Sequence, residues 1–399
     1  MEVLFVSIFT KEIVFGKGRL GNLIRFFPKD TQYTLLTTDF DHRRKEYYQP
    51  KTEDRTNTSM YTVKYIHTPS YTKNLSFLRI WGNFVFGWGV RRFLKQTTTN
   101  YDLIYCIVPS ASGVLGCRSY LSSHKTNLAV DVMDLLPESL LPLLGDNWFI
   151  KCILKPWFTI SKKAYQTADI IIGESKEYAN IAHRCNPQVP YIYTYLGIDM
   201  LQINEIIKNR VVSLPNDGRI KICYGGNLGN SYDFDAIIDT LAELKKRGIK
   251  YKMYFVGGGD KEDYVKSQLH NKGIDAMVTG VVPYHTYIEY LSQCDIGLNV
   301  FKSHTKIVHS YKFNDYAACG LFIVNNLHGE TENMIKQYQC GITSDNICDV
   351  LVNVCTSWET YRTCKSNCLK MVDRELSVDV IYKRQAEILL SIIQRQKKM

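Results

Sequence analysis

Short runs of β-branched, aromatic and aliphatic residues alternate with longer helical stretches along this chain, and the alternation starts twice. In the first half the predicted strands cover residues 3–9, 33–38, 62–67, 103–108, 128–132 and 170–173; in the second half they cover 220–224, 251–256, 277–280, 296–300 and 321–324. Strands separated by helices cannot pair as hairpins, so the order argues for parallel sheets with helices on both faces. The fold class is α/β, two Rossmann-like domains in series, which suits a length of 399 residues. The segment Tyr195-Leu196-Gly197-Ile198-Asp199 closes the first unit, and Pro215-Asn216-Asp217-Gly218 carries turn signals before the next strand. The expected domains are therefore 1–197 and 198–375. A terminal helix over 376–399 carries Ile381, Tyr382, Leu389, Leu390 and Ile393 on one stripe, and is expected to pack back on the N-terminal domain.

Composition removes whole classes of alternative. With 45% hydrophobic residues the chain is globular rather than disordered. The twelve Cys are scattered, contain no CxxC and follow no signal-peptide pattern, so reduced thiols in a cytoplasmic protein are expected. No apolar run reaches the ~18 residues that would span a bilayer. The net charge of +10 favours anionic partners without choosing among them. Basic residues are spread along the chain with no recognition-helix, RNP or zinc spacing, and no nucleic acid partner is expected.

In open parallel sheets ligands bind beyond the carboxyl ends of the strands, which directs attention to those loops. After the first strand, Gly16, Gly18 and Gly21 fit GxGxxG before a helix, where backbone N–H groups can approach an anion or simply make a flexible turn. The second half opens with Tyr224-Gly225-Gly226-Asn227-Leu228-Gly229-Asn230, again a glycine-rich strand end running into a helix. Asp233 and Asp235 read as carboxylates complementing that helix dipole rather than as metal ligands, and no metal site is expected. Gly257, Gly258 and Gly259 either leave room for a flat ligand or turn the chain. The sharpest signal is Ser310-Tyr311-Lys312-Phe313-Asn314-Asp315-Tyr316-Ala317-Ala318-Cys319-Gly320. Lys312 and Asp315 are three apart, hence on one helix face, where a cation can neutralise a diphosphate and a carboxylate can accept from ribose hydroxyls. A solvated i,i+3 ion pair is the alternative.

Segments 224–233, 255–260, 279–284, 293–298 and 310–320 come in the order and spacing of the donor domain of family 4 glycosyltransferases of the GT-B fold. Asp131-Val132-Met133-Asp134-Leu135-Leu136-Pro137-Glu138-Ser139 resembles the Asp-x-x-Asp-x-x-Pro-Glu-Ser segment of a branch that builds bacterial surface polysaccharides. The resemblance implies two sheets facing across a cleft and a retaining, metal-independent transfer of a sugar from a nucleotide-sugar, with UDP-sugar the expected donor. Asp315 falls where the family has the second Glu of its Glu-x7-Glu motif, and Ile307 falls where it has the first. That role is either missing or taken by neighbours such as His304, Lys306 or His309. Lys312 becomes the leading phosphate ligand, with the amides of Gly16 and Gly18 opposite it. The remaining expected donor contacts are Gly226, Asn227, Asn230, Gly257, Gly258 and Val282.

On the acceptor side the resemblance points to Asp131 as the residue nearest the acceptor hydroxyl, with Asp134 and Glu138 beside it. Residues 75–95 and 148–163 mix aromatic with basic residues, which suits either a membrane interface and a lipid-linked acceptor or core helices with snorkelling cations. Glycines at 82, 87 and 89 weaken the first of these as a helix. The alternatives to a transferase are a nucleotide-sugar-binding protein without catalysis and a nucleotide-sugar 2-epimerase.

Overall fold

The computed structural model describes residues 1–48, 61–73, 76–145, 147–303, 305 and 307–398. His304, Lys306 and Leu75 lie outside the described residues. The chain divides into two compact units: Met1–Leu196 with Ile381–Met399, and Gly197–Val380.

The first unit is built on seven parallel strands: β1 (Glu2–Val6), β2 (Gln32–Thr38), β3 (Tyr61–Ile66), β4 (Leu103–Val108), β5 (Asn127–Val132), β6 (Ile170–Gly173) and β7 (Tyr191–Tyr193). They are ordered β3-β2-β1-β4-β5-β6-β7. Strands β4 and β5 are buried at every position; β4 reads as an unbroken apolar run, and β5 departs from one only at Asn127 and Asp131. Edge strand β3 exposes Lys64 and Tyr65. The second unit repeats the plan with β8 (Ile220–Gly225), β9 (Tyr251–Val256), β10 (Ala276–Val278), β11 (Ile296–Asn299), β12 (Phe322–Asn325) and β13 (Gly341–Thr343), ordered β10-β9-β8-β11-β12-β13. Both sheets are thus doubly wound, and the winding reverses between β1 and β4 and between β8 and β11.

Two helices depart from their sequence reading. Residues 77–96 form one continuous helix, Phe77–Gln96, despite three glycines. A Cβ on Gly87 would lie 2.4 Å from the Ser112 carbonyl oxygen, one on Gly116 2.5 Å from that of Gly87, and one on Gly89 2.4 Å from Ile66. Close packing on the Ala111–Gly116 helix and on β3 therefore overrides the low helix propensity of glycine. The stretch after Asp199, where no element is predicted before the turn at 215–218, contains the helix Met200–Lys208, whose first N–H groups are accepted by the Asp199 side chain at 3.0 and 3.2 Å. The predicted strand 277–280 stops at Val278, because Gly280 turns the chain at φ +70°.

The terminal helix Val378–Lys398 buries Ile381, Tyr382, Leu389 and Ile393. Residues 381 onward belong to the first unit, where Gln396 accepts from Asn127 at 2.6 Å and Lys397 pairs with Asp102 at 2.8 Å. Among the described residues no helix is long and apolar enough to cross a membrane.

Candidate functional site

The winding of the second sheet reverses between β8 and β11, and their carboxyl ends gather an aromatic box. Tyr224 comes from β8, Tyr232 from the loop that follows it, and Phe301 from just beyond β11; Tyr232 and Phe301 meet through an antiparallel bridge. The helix Tyr311–Cys319 inserts Lys312 into this box, with Nζ 3.8 Å from the Tyr224 ring centroid and 3.6 Å from that of Tyr232. The side chain is 6% exposed, and among the described residues Nζ has no hydrogen-bond partner. Burial alone holds its pKa well below the ordinary lysine value. An exposed ion pair with Asp315 is therefore not what this lysine makes.

Asp315, one turn on, is half-buried and accepts from the Tyr284 hydroxyl at 2.9 Å. Burial pushes its carboxyl up to about 6, against the hydrogen bonds of Tyr284 and Tyr287. Tyr316 pins the same helix to the sheet. Its hydroxyl accepts from the Gly225 N–H at 2.8 Å and donates to the Leu298 carbonyl at 3.2 Å, its ring lying where a Cβ on Gly297 would stand. His309 faces Asn314 at 2.6 Å, and burial lowers its pKa to about 4. Ile307 is partly buried, and its side chain has no group that could bond a sugar hydroxyl.

Gly226 (φ +104°) lies beside Lys312: a Cβ there would be 3.9 Å from the lysine Cε. Asn227 and Asn230 are exposed on the same loop, and Val282 is partly exposed on the loop after β10. Gly257 and Gly258 have a tighter purpose than admitting a flat ligand. A Cβ on Gly257 would stand 2.0 Å from the Gly226 carbonyl oxygen, and one on Gly258 2.7 Å from Glu262. The two glycine loops press backbone to backbone, joined by Leu228 N–H to Gly258 C=O at 3.0 Å. Asp233 caps the Phe234–Lys246 helix by accepting from Ala236 N–H at 3.0 Å.

In the first unit Gly16 and Gly18 both have positive φ and sit on an accessible loop after β1. The helix Gly18–Leu23 that follows carries Arg19, which is buried. Its guanidinium grips Asp131 at 2.5 and 2.7 Å and the Thr194 carbonyl at 2.8 Å. Tyr105 donates to Asp131 at 2.6 Å and receives a hydrogen bond from Gln385 of the terminal helix at 2.7 Å. Burial lowers the basicity of Arg19, but the adjacent Asp131 more than offsets it, so the guanidinium stays charged. Asp131 was expected to touch an acceptor; here it is fully buried, with both oxygens engaged by Arg19 and Tyr105. Arg19 carries no distinguishing mark in the sequence, since a basic residue beside glycines reads equally as an anion ligand. Asp134 and Glu138 are partly buried on the loop after β5, and burial raises both carboxyls. Among the described residues no three His, Cys, Asp or Glu side chains gather in a way that could hold a metal ion.

No curated protein matches the chain in a sequence search. Among solved structures, HepE of Anabaena in complex with UDP superposes with a TM-score of 0.66 at 16% identity, over 98% of this chain and 100% of that one. A sucrose-phosphate synthase from Thermosynechococcus elongatus gives 0.69 at 10% identity, over 99% of each chain. WaaG, a glycosyltransferase involved in lipopolysaccharide biosynthesis, gives 0.62 at 11% identity, over 97% of this chain and 99% of that one. At such identities the likeness is one of fold. In sequence, residues 205–349 match the family described as Glycosyl transferases group 1, a span that holds the glycine loops, the aromatic box, Lys312 and Asp315. Residues 205–349 thus carry a Glycosyl transferases group 1 domain, in a chain with the GT-B fold.

Proposed function

We propose that this protein is a retaining glycosyltransferase that moves a sugar from a nucleotide-sugar, with UDP as the expected leaving group, to a lipid-linked or saccharide acceptor in surface-polysaccharide assembly. The observation that carries the reading is Lys312, a buried ammonium with no hydrogen-bond partner among the described residues, at the switch point of the sheet in the group 1 domain. A diphosphate supplies the charge this lysine lacks. Its binding raises the lysine pKa again, and the ammonium then neutralises charge that grows on the leaving phosphates. Asp315 accepts from ribose hydroxyls, sharing the carboxylate with Tyr284. The leaving phosphate accepts the acceptor's proton on the same face, so a dedicated base is not needed, and in this reading no metal is required. Asp131 then acts by holding Arg19, and through it the Gly16–Gly18 loop, while Asp134 and Glu138 stand nearer the acceptor. HepE holds UDP in its structure and WaaG acts in lipopolysaccharide biosynthesis, which supports this donor and this pathway.

We also place the protein peripherally on the inner face of a cell membrane. Phe77 (77% exposed), Trp88 (65%), Trp148 (74%) and Phe149 (59%) stand out on two helices that carry lysine and arginine but no acidic residue, a composition suited to an anionic bilayer surface. The test is a thermal-shift panel of UDP, GDP, TDP, CMP and their sugars, followed by release of nucleoside diphosphate in the presence of lipid-linked acceptors. A stabilising nucleotide and acceptor-dependent release support the reading; Lys312→Ala and Asp315→Ala variants with full turnover overturn it. Ile307 favours a second reading, a binding protein without catalysis. Calorimetric donor binding with no transfer or hydrolysis across an acceptor panel selects that one.

A further inference from the structure

We propose that the first unit holds one phosphate-bearing lipid, with its hydrocarbon chain in a cavity between the Phe77–Gln96 and Trp148–Tyr165 helices and its phosphate at the adjoining Arg79, Lys45 and His42. The inference rests on the acceptor side of the proposed function and assigns the place where that acceptor is gripped.

The cavity measures about 250 Å3 and is walled by Ile80, Phe84, Ile153, Leu154, Trp157 and Ile160, with Ala111 at its floor beside Pro109 at the end of β4. The hydrogen-bonding side chains in its lining, Asn83, Ser112 and the indole N–H of Trp157, leave it without a polar wall; the Ser112 hydroxyl already donates to the Asn83 carbonyl. A site this apolar recognises hydrocarbon rather than a sugar or a base. Its outer wall is continuous with exposed Phe77, Trp81 and Phe149 on the same two helices, so a chain can enter from the surface proposed to meet the bilayer.

Asn83 also lines a second, smaller cavity, with Thr38, His42, Tyr71 and Arg79. This one is cationic. The Lys45 ammonium lies 3.5 Å from His42 Nδ1 and 4.6 Å from the centre of the Tyr71 ring, and the Tyr71 hydroxyl is 2.5 Å from the same nitrogen. Arg79 stands over Phe9, 6.0 Å from its centre. Burial, then Arg79 and Lys45, depress His42 to about 4, and burial, then Arg79, lowers Lys45. Two carboxylates stand near: Asp41 accepts from the backbone N–H groups of Arg43 and Arg44 at 2.8 and 3.0 Å, and Asp134, its own carboxyl raised by burial, feels the charge of Arg79. Basic side chains around a small cavity that shares Asn83 with an apolar one match an anionic head on a hydrocarbon tail.

The test uses the full chain with farnesyl diphosphate, farnesol and inorganic diphosphate, read by calorimetry and by the fluorescence of Trp157 in the cavity wall. Farnesyl diphosphate is expected to bind more tightly than either of its parts. Ile153→Trp, at an exposed position on the rim, and Ile160→Trp, deeper in, fill the cavity and are expected to weaken farnesyl diphosphate and farnesol alike by about tenfold. Arg79→Gln is expected to weaken farnesyl diphosphate about tenfold while leaving farnesol unchanged. The UDP-induced rise in melting temperature, measured in parallel, separates the outcomes. If UDP has no effect but the variants behave as stated, the donor reading fails and this one stands. If both tryptophan variants bind farnesyl diphosphate as wild type does, or inorganic diphosphate binds as tightly as the prenylated form, the inference is overturned. It is equally overturned if the protein sediments with phosphatidylglycerol vesicles yet binds no farnesyl diphosphate, because the helices then only rest on a surface.

Discussion

Replacing Lys312 by methionine is expected to make the unliganded protein more stable and to abolish its response to UDP. Taking an ammonium out of water costs several kcal/mol even after relaxation. Two tyrosine faces at 3.8 and 3.6 Å return about 2 kcal/mol of that. The difference, roughly 1–3 kcal/mol, is removed by a side chain of similar length and no charge. For a unit of this size each kcal/mol moves the melting temperature by about 2–4 °C. The sign extends to pH. The folded pKa lies below the ordinary 10.5, so between the two values the unfolded chain holds a proton that the folded one lacks. Wild-type stability therefore rises with pH across that window, by up to about 1.4 kcal/mol per pH unit, and the methionine variant lacks this slope. Differential scanning calorimetry with and without UDP, at several pH values, reads all three effects. A Lys312→Met protein that melts lower than wild type and keeps its UDP shift would refute the reasoning, since the lysine would then be a packing element.

UDP affinity is expected to fall as pH is lowered through about 6, where the Asp315 carboxyl takes up a proton and can no longer accept two hydroxyl hydrogen bonds. Calorimetric titration across pH 5–8 checks this, and Asp315→Asn should flatten the profile; a wild-type profile already flat there counts against the ribose assignment. Arg19→Met leaves Asp131 buried without its counter-ion and is expected to cost about 3–5 kcal/mol in urea unfolding. Tyr105→Phe removes one hydrogen bond from the same carboxylate and should cost about 1 kcal/mol. Equal losses in the two variants would contradict the ranking of the contacts.

The two doubly wound sheets were legible because the central strands are buried and mostly apolar runs bracketed by helical stretches, the pattern that parallel sheets impose. Two short edge strands, Tyr191–Tyr193 and Gly341–Thr343, escaped because three residues are too few to show a period. The glycines of the Phe77–Gln96 helix misled for a different reason. Their value lies in contacts with Ser112 and Ile66, which local propensity does not register. At the candidate site the spacing of Lys312 and Asp315 fell on a helix of the structure, since a helix turn is a local property. The box around Lys312 did not show, because Tyr224, Tyr232 and Phe301 are brought together only by the order of strands in the sheet. Nor did the partner of Asp131: Arg19 lies 112 positions away, and only the pairing of β1 with β4 and of β4 with β5 closes that distance.

The phenol of Tyr316 is fastened to Gly225 on one strand and Leu298 on the next, so the helix bearing Lys312 and Asp315 behaves as a beam clamped near its middle. Residues on its outer side can drift in identity without moving either Lys312 or Asp315. A change at the clamp itself frees the whole beam and leaves the Gly225 amide stranded in a dry interior. Tolerance to substitution along these nine residues should therefore be set by distance from Tyr316 rather than from any bound molecule.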